Sequence, residues 1–202
     1  MSRIQAAEHR SAIVGATVRL MVREGVAAAS TRRVAAEAGV AQATIHYVFG
    51  TKTELYRAVI ETVTSNLVRA VEASLAPHPH WSEDVAVASQ AVWEVIEADA
   101  STALLLVELT AYALRDPDLR DLAEGLYDSY HRLAENAVGV LVERSGEALR
   151  IPVEQVARLV VAGLNGLALD FLVHGDRERS RRDLENLVDS LTAVAVGPVS
   201  VG

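Results

Sequence analysis

Apolar residues recur at three- and four-residue spacing along almost the whole chain, the signature of amphipathic helices. Ile13, Val14, Thr17, Leu20 and Met21 predict a helix over 8–24, stopped by Gly25. Val34, Ala35 and Ala38 then share one face of a short helix. Ser30 or Thr31 can cap it, since either hydroxyl can accept from an orphan backbone N–H. Gly39 stands just past its end, where a positive φ is wanted. Val40 plugs the turn, and Ile45, Val48 and Phe49 give a second short helix its buried stripe. Leu55, Val59, Val63, Leu67, Val71 and Leu75 predict a long helix over 52–75. The prolines of APHPHW (76–81) break the pattern. A helix over 82–99 follows, capped by Ser82, with Val85, Val92, Trp93 and Ile96 inward. Ser101 is expected to cap the next, which runs to about Arg115. Asp116-Pro117 is expected to open another that ends near Gly146, with a kink or break around Gly125 or Gly139. Two more follow, over 152–174 and about 178–195, before a frayed tail. No strand pattern survives, so the fold class is all-α.

Two stretches carry more than packing. Residues 30–56 read as helix, sharp turn at Gly39, second short helix and the start of a third, the form of a helix-turn-helix DNA reader. Gln42, Ala43, Thr44, His46 and Tyr47 are left pointing outward from the second helix. That face is short, polar and aromatic, as suits a major groove. Lys52 opens the following helix, unfavourably for the helix dipole but well placed for a phosphate attracted to the same N-terminus. The second stretch is 152–174. Its apolar residues cover most of the circumference, so it must be buried on two sides, and a second subunit is the simplest cover. Gly163 and Gly166 can let helices approach closely there.

The net charge of −8 changes the picture only once it is divided along the chain. Residues 1–60 hold eight Lys/Arg against four Glu, a net of +4, which leaves −12 for the rest. A basic head on an acidic body suits a protein that presents one end to DNA. Lys52 is the one lysine. The chain lacks cysteine, which excludes disulfides, thiol catalysis and cysteine-based metal sites. No signal peptide and no run of 18 uncharged apolar residues is present, so no membrane association and a cytoplasmic location are expected. His78 and His80 form an i, i+2 pair without a visible third ligand, so they are read as loop residues and no metal is expected. No catalytic or nucleotide-binding string is present, and neither an enzyme nor a cofactor is expected.

Thr31, Val34, Ala35, Ala38, Gly39, Val40, Thr44, Ile45, Tyr47, Phe49, Lys52 and Leu55 stand in order without a gap. Through them, residues 9–60 resemble the N-terminal domain of the TetR (tetracycline repressor) family of bacterial transcription regulators. Position 41 departs from the family, with Ala41 where a capping residue is usual, and so do His46, where Tyr is usual, and Val48, where His or Tyr is often found. The resemblance implies an N-terminal three-helix domain with the helix-turn-helix, over 1–51. It also implies a C-terminal helical domain for ligand binding and dimerisation, over 52–202. The last two helices are then expected to pair with a partner's two. Val160, Leu164, Leu167, Phe171, Leu184, Leu187 and Leu191 are the candidate interface.

On the DNA side Arg32 is the best candidate for a base contact, since its fork matches guanine O6 and N7. Gln42, Ala43, Thr44 and His46 lie against base edges. Thr31, Tyr47 and Lys52 hold phosphates, which set register and not sequence; the family's equivalents of Thr44, Tyr47 and Lys52 commonly make such contacts. Candidates for an effector pocket are Trp93, Leu105, Glu108, Tyr112, Tyr127, Tyr130, His131, Asn165 and Phe171. Glu108 and Asn165 are the polar groups on apolar helices that need a partner. The expected partners are a palindromic operator in double-stranded DNA, a second copy of the chain and a small apolar or amphipathic effector. A regulator without an effector, and a ligand-binding or enzymatic body, stand as the alternatives.

Overall fold

The computed structural model describes residues 3–74 and 81–196. Among them the regular structure is helical throughout. The helices are α1 (Arg3–Glu24), α2 (Thr31–Ala38), α3 (Gln42–Phe49), α4 (Lys52–Ser74), α5 (Trp81–Ala98), α6 (Ala100–Arg115), α7 (Arg120–Ser145), α8 (Val153–His174) and α9 (Arg177–Ala195), with a 3-10 turn at Val26–Ala28. The break expected over 76–81, with its two histidines, lies outside the described residues up to Trp81.

The chain forms two compact units. The first takes the chain up to Ser65 together with Ser101–Leu126. Its core joins Ile13, Leu20 and Met21 of α1 to Val34, Ile45, Leu55 and Val59, with Leu105 and Leu109 of α6. Ser30 caps α2, its hydroxyl accepting from the Arg33 N–H, while Ala41 leaves α3 without a side-chain cap. Such a missing cap costs about 1 kcal/mol. Burying Ile45 and Phe49, at roughly 2 kcal/mol each, outweighs it. Packing, not capping, therefore holds α3 in place. Gly39 adopts the left-handed conformation (φ 67°) and donates back to Ala36, the turn that its position predicts.

The second unit holds Asn66–Ala100 and the chain from Tyr127 onward. Trp93, Ala168, Phe171 and Leu184 form one cluster, and Val85, Val138, Leu141, Val156 and Val188 another. An ideal Cβ on Gly163 would stand 2.7 Å from Leu187 Cδ1, so this glycine sets the close approach of α8 to α9. Gly166 has nothing comparable near it within the chain. Glu97 is 4% exposed and ties α5 to α9. It accepts from Trp93 Nε1 at 2.8 Å and from Arg181 through both oxygens at 3.0 and 2.5 Å, with Arg177 3.8 Å away. The Arg181 hydrogen bond holds the Glu97 carboxyl below its ordinary 4.5, against the opposing effect of burial.

Several boundaries differ from the sequence expectations. Helix α1 begins at Arg3, ahead of the expected residue 8. Helix α5 begins at Trp81, so Ser82 lies within its first turn rather than capping it. Helix α7 runs unbroken from Arg120 to Ser145 through Gly125 and Gly139. Each interior glycine costs about 1 kcal/mol, less than is gained by burying Leu122, Leu126, Val138 and Leu141. Ser101 lies inside the first turn of α6 rather than capping it, because only Asp99 separates α5 from α6. Pro117 sits in a turn ahead of α7, where Leu119 N–H donates to Asp116 O. Helix α8 is long and apolar enough to cross a membrane by length and composition alone. One of its sides packs on α9 and the two core clusters of this unit.

Candidate nucleic-acid interface

Burial of Ile45 and Phe49 on one side of α3 turns the opposite side outward. Gln42, Ala43, His46 and Tyr47 are all exposed, Tyr47 by 70%, and Thr44 is half-buried. The starts of α2 and α3 are joined, since Gln42 Nε2 donates to Thr31 Oγ1 at 3.1 Å. Thr31, Gln42 and the outward face of α3 thus belong to one surface.

Two neighbouring arginines behave differently. Arg33 pairs with Glu24, which Arg23 also holds at 2.9 Å, and Arg23 reaches Glu37 at 2.8 Å. Hydrogen bonds from these arginines hold the Glu24 and Glu37 carboxyls below the usual range. Arg32 is exposed and has no ion-pair partner among the described residues, so its guanidinium is available to an external acceptor.

Lys52 folds back over its own helix. Its ammonium stands 4.9 Å from the Tyr56 ring centroid and 5.2 Å from that of Tyr112, and it donates to the Tyr112 hydroxyl at 3.1 Å. Burial disfavours its charge, but the Tyr112 hydrogen bond and the electrostatic interactions with the Tyr56 and Tyr112 hydroxyl groups more than compensate, and its pKa is raised. One helical turn earlier on α6, Glu108 Oε1 accepts from the Val26 N–H at 2.8 Å and so holds the turn between α1 and α2. Tyr56 braces the same turn by donating to the carbonyls of Val26 and Ala29. Glu108→Leu is expected to lower stability by about 1–2 kcal/mol, because Val26 is buried and its N–H loses its acceptor. Chemical denaturation checks this, and a midpoint equal to that of the unsubstituted protein would show the bond to be dispensable.

The residues expected around an effector fall into separate groups. Leu105 is core of the first unit, and there Glu108 and Tyr112 spend their polar atoms on Val26 and Lys52. Trp93 and Phe171 meet edge to face at 5.8 Å within the second unit. On α7, Tyr127 stacks edgewise on Tyr130 and His131, and burial pushes the Tyr130 hydroxyl pKa up. Asn165 is half-buried on α8. A groove of about 460 Å³ lies elsewhere, between α4 and α5. Ala70, Ala73, Ser74, Ala91, Glu94, Val95 and Ala98 line it. Sequence reading missed it because alanines at helical spacing look like ordinary core. Glu94 among those alanines was the available signal.

Along α8, Leu159, Ala162, Gly166, Leu169 and Val173 are all exposed at alternating three- and four-residue spacing. Leu169 is 49% and Val173 70% exposed. Phe171 and Leu184, both expected at a subunit interface, are buried inside their own subunit. Val160, Leu164 and Leu167 pack against core clusters, and Leu187 and Leu191 are half-buried on α9.

Comparison with known proteins decides what these surfaces belong to. Residues 13–59 match the family model described as bacterial regulatory proteins, tetR family. Residues 95–193 match that of the BetI-type transcriptional repressor C-terminal domain. The chain belongs to the TetR family. This TetR-family protein is a transcriptional regulator with a helix-turn-helix DNA-binding domain, and the family is one of regulators rather than enzymes. Family members bind DNA and small-molecule effectors, typically as dimers, and are soluble. The regulator is 27% identical over 192 residues to the HTH-type nicotine-responsive transcriptional repressor HdnoR of Paenarthrobacter nicotinovorans, covering 93% of this chain and 96% of the relative. It is 29% identical to the multidrug binding protein EbrR, solved in complex with imidazole, with a TM-score of 0.64 over 89% of each chain. FadR of Bacillus subtilis, solved with stearoyl-CoA, shares the fold at a TM-score of 0.72 and 14% identity, over 91% of this chain and 98% of that one.

Proposed function

We infer that the regulator is a cytoplasmic homodimeric repressor that reads a palindromic operator and leaves it when a small amphipathic effector binds the second unit. The observation that carries the reading is the outward face of α3, where an aromatic side chain stands 70% exposed in a polar setting joined to the start of α2. Arg32 supplies the base-reading fork, with Gln42, Ala43, Thr44 and His46 against base edges and Thr31, Tyr47 and Lys52 on phosphates. The exposed stripe of α8, continued by Leu187 and Leu191 of α9, supplies the dimer face. A residue already buried within its own subunit has little area left to bury against another. Leu159, Leu169 and Val173 therefore contribute more to that face than Phe171 or Leu184.

The groove between α4 and α5 is the proposed effector site. Its alanines accept a compact apolar body, and the Glu94 carboxylate favours a ligand carrying a basic amine. The nicotine-responsive and multidrug-binding relatives agree with that chemistry. Helix α4 supplies Lys52 in its first turn and Ala70, Ala73 and Ser74 in its last, so ligand and DNA act on the two ends of one helix. The effector empties the operator by its differential affinity for the form that does not bind DNA. That differential must reach several kcal/mol for release to be effective.

Selection of bound duplexes from a random DNA library tests the reading. A palindrome with two half-sites is the expected product. Arg32→Ala is expected to enrich a more degenerate site, since a good bidentate contact gives about 1–3 kcal/mol of base discrimination. An unchanged site in that variant would remove Arg32 as a reader. Failure of the unsubstituted protein to enrich any sequence, with or without candidate amines, would remove the operator reading itself.

A further inference from the structure

We propose that Tyr112 of α6 is a positioning residue for DNA binding, acting through Lys52. The proposal rests on the assignment of Lys52 to a phosphate. Lysine is a flexible ligand for a phosphate, since its four-carbon stem must be immobilised when the contact forms. Here much of that ordering is already done. The ammonium lies against both the Tyr56 and Tyr112 rings, 4.9 and 5.2 Å from their centroids, and one of its N–H groups is bound to the Tyr112 hydroxyl at 3.1 Å. Two of its three N–H groups remain for an anion.

The two tyrosines are not equivalent. Tyr56 is one turn along α4 from Lys52, is 1% exposed, and gives its hydroxyl proton to the Val26 and Ala29 carbonyls. Tyr112 comes from a different helix, and among the described residues the polar contact of its hydroxyl is with Lys52. The place of α6 is in turn set by Glu108, four residues earlier on the same face and bonded to the Val26 N–H. Gly25, beside that N–H, leaves room for the carboxylate: a Cβ there would stand 2.9 Å from Glu108 Oε1. Contacts one turn apart therefore fix α6 against the head, and the second of them sets where the lone lysine points.

The test is a double-mutant cycle on DNA binding. Unsubstituted protein, Tyr112→Phe, Lys52→Ala and the double variant are titrated with the library-selected duplex, and with random-sequence duplex at low salt, across a salt series. Tyr112→Phe keeps the ring and removes only the hydroxyl. It is expected to weaken binding about tenfold, the scale of re-ordering one long side chain in each of two heads. Its salt dependence should stay that of the unsubstituted protein, because the ammonium is still present. Lys52→Ala should weaken binding and flatten the salt dependence, and the double variant should bind no worse than Lys52→Ala. Full affinity in Tyr112→Phe, or additive losses in the double variant, would overturn the proposal. Additive losses together with a lowered melting temperature would mark Tyr112 as merely structural. An unaltered affinity and slope in Lys52→Ala would overturn it as well. The random-sequence arm reads phosphate contacts without an operator. A missing operator would therefore count against the proposed function alone and leave this cycle decisive.

Discussion

Replacing Glu97 by Ala is expected to lower the stability of the regulator by about 3 kcal/mol. Glu97 is 4% exposed and accepts from Trp93 Nε1 and from Arg181. The substitution strands the indole N–H, which is fully buried with its ring, and that alone costs about 1–3 kcal/mol. It also removes the bond between α5 and α9 made by the Arg181 fork. The two arginines keep about half their side-chain surface in water, which limits the further loss. Glu97→Gln should recover part of the deficit, since an amide oxygen can still accept from Trp93. The effect has a defined pH dependence. The folded-state pKa of Glu97 is lowered, so its contribution is fully present above the ordinary carboxyl value of 4.5 and is lost as pH falls through the lower folded value. The gap between the unsubstituted protein and Glu97→Gln should hold steady from neutral pH to about pH 5 and close in more acidic solution. Denaturant unfolding across pH measures it, and a gap that persists unchanged at the acid end would contradict the ion-pair account.

Leu169→Asp is expected to produce a folded monomer and to weaken operator binding more than a hundredfold. Leu169 is 49% exposed within the subunit, so a carboxylate there is solvated in the monomer and leaves the core intact. Buried against a second α8, two such carboxylates would face desolvation without a partner. Losing the dimer removes the gain from tethering two heads on one site, typically 10²–10⁴-fold. Sedimentation gives the mass and circular dichroism the fold. A variant that stays dimeric at micromolar concentration would place the interface away from the α8 stripe. The same substitution at Ala168, 8% exposed, should instead unfold the second unit.

The DNA-binding head was the most legible part of the chain because its determinants are local. Ser30, Gly39 and the Ile45/Phe49 stripe act over a few residues, and each does in the structure what its spacing implies. Outward-facing residues on a short helix follow directly once the inward ones are known. Helix existence and type were legible throughout for the same reason, since period 3.6 is a property of adjacent turns. Junctions were less so. Whether Gly139 breaks α7, or Ser101 caps α6, is decided by what the flanking residues bury, and that depends on remote segments.

The sequence by itself determined the helical class, the helix-turn-helix, the basic head on an acidic body and the presence of an over-apolar helix at 153–174. Tertiary structure alone decided which of two adjacent arginines is ion-paired among the described residues, because Arg33 is claimed by Glu24 nine residues away and Arg32 is not. It alone showed that Glu108 caps a turn 82 residues earlier and that Tyr112 holds Lys52 across 60 residues. It also divided the apolar residues of α8 into those already buried at home and those left open. The physical reason is common to all of these. A polar or apolar group declares in sequence that it needs a partner, but the identity of the partner is a matter of three-dimensional proximity, which no local periodicity encodes.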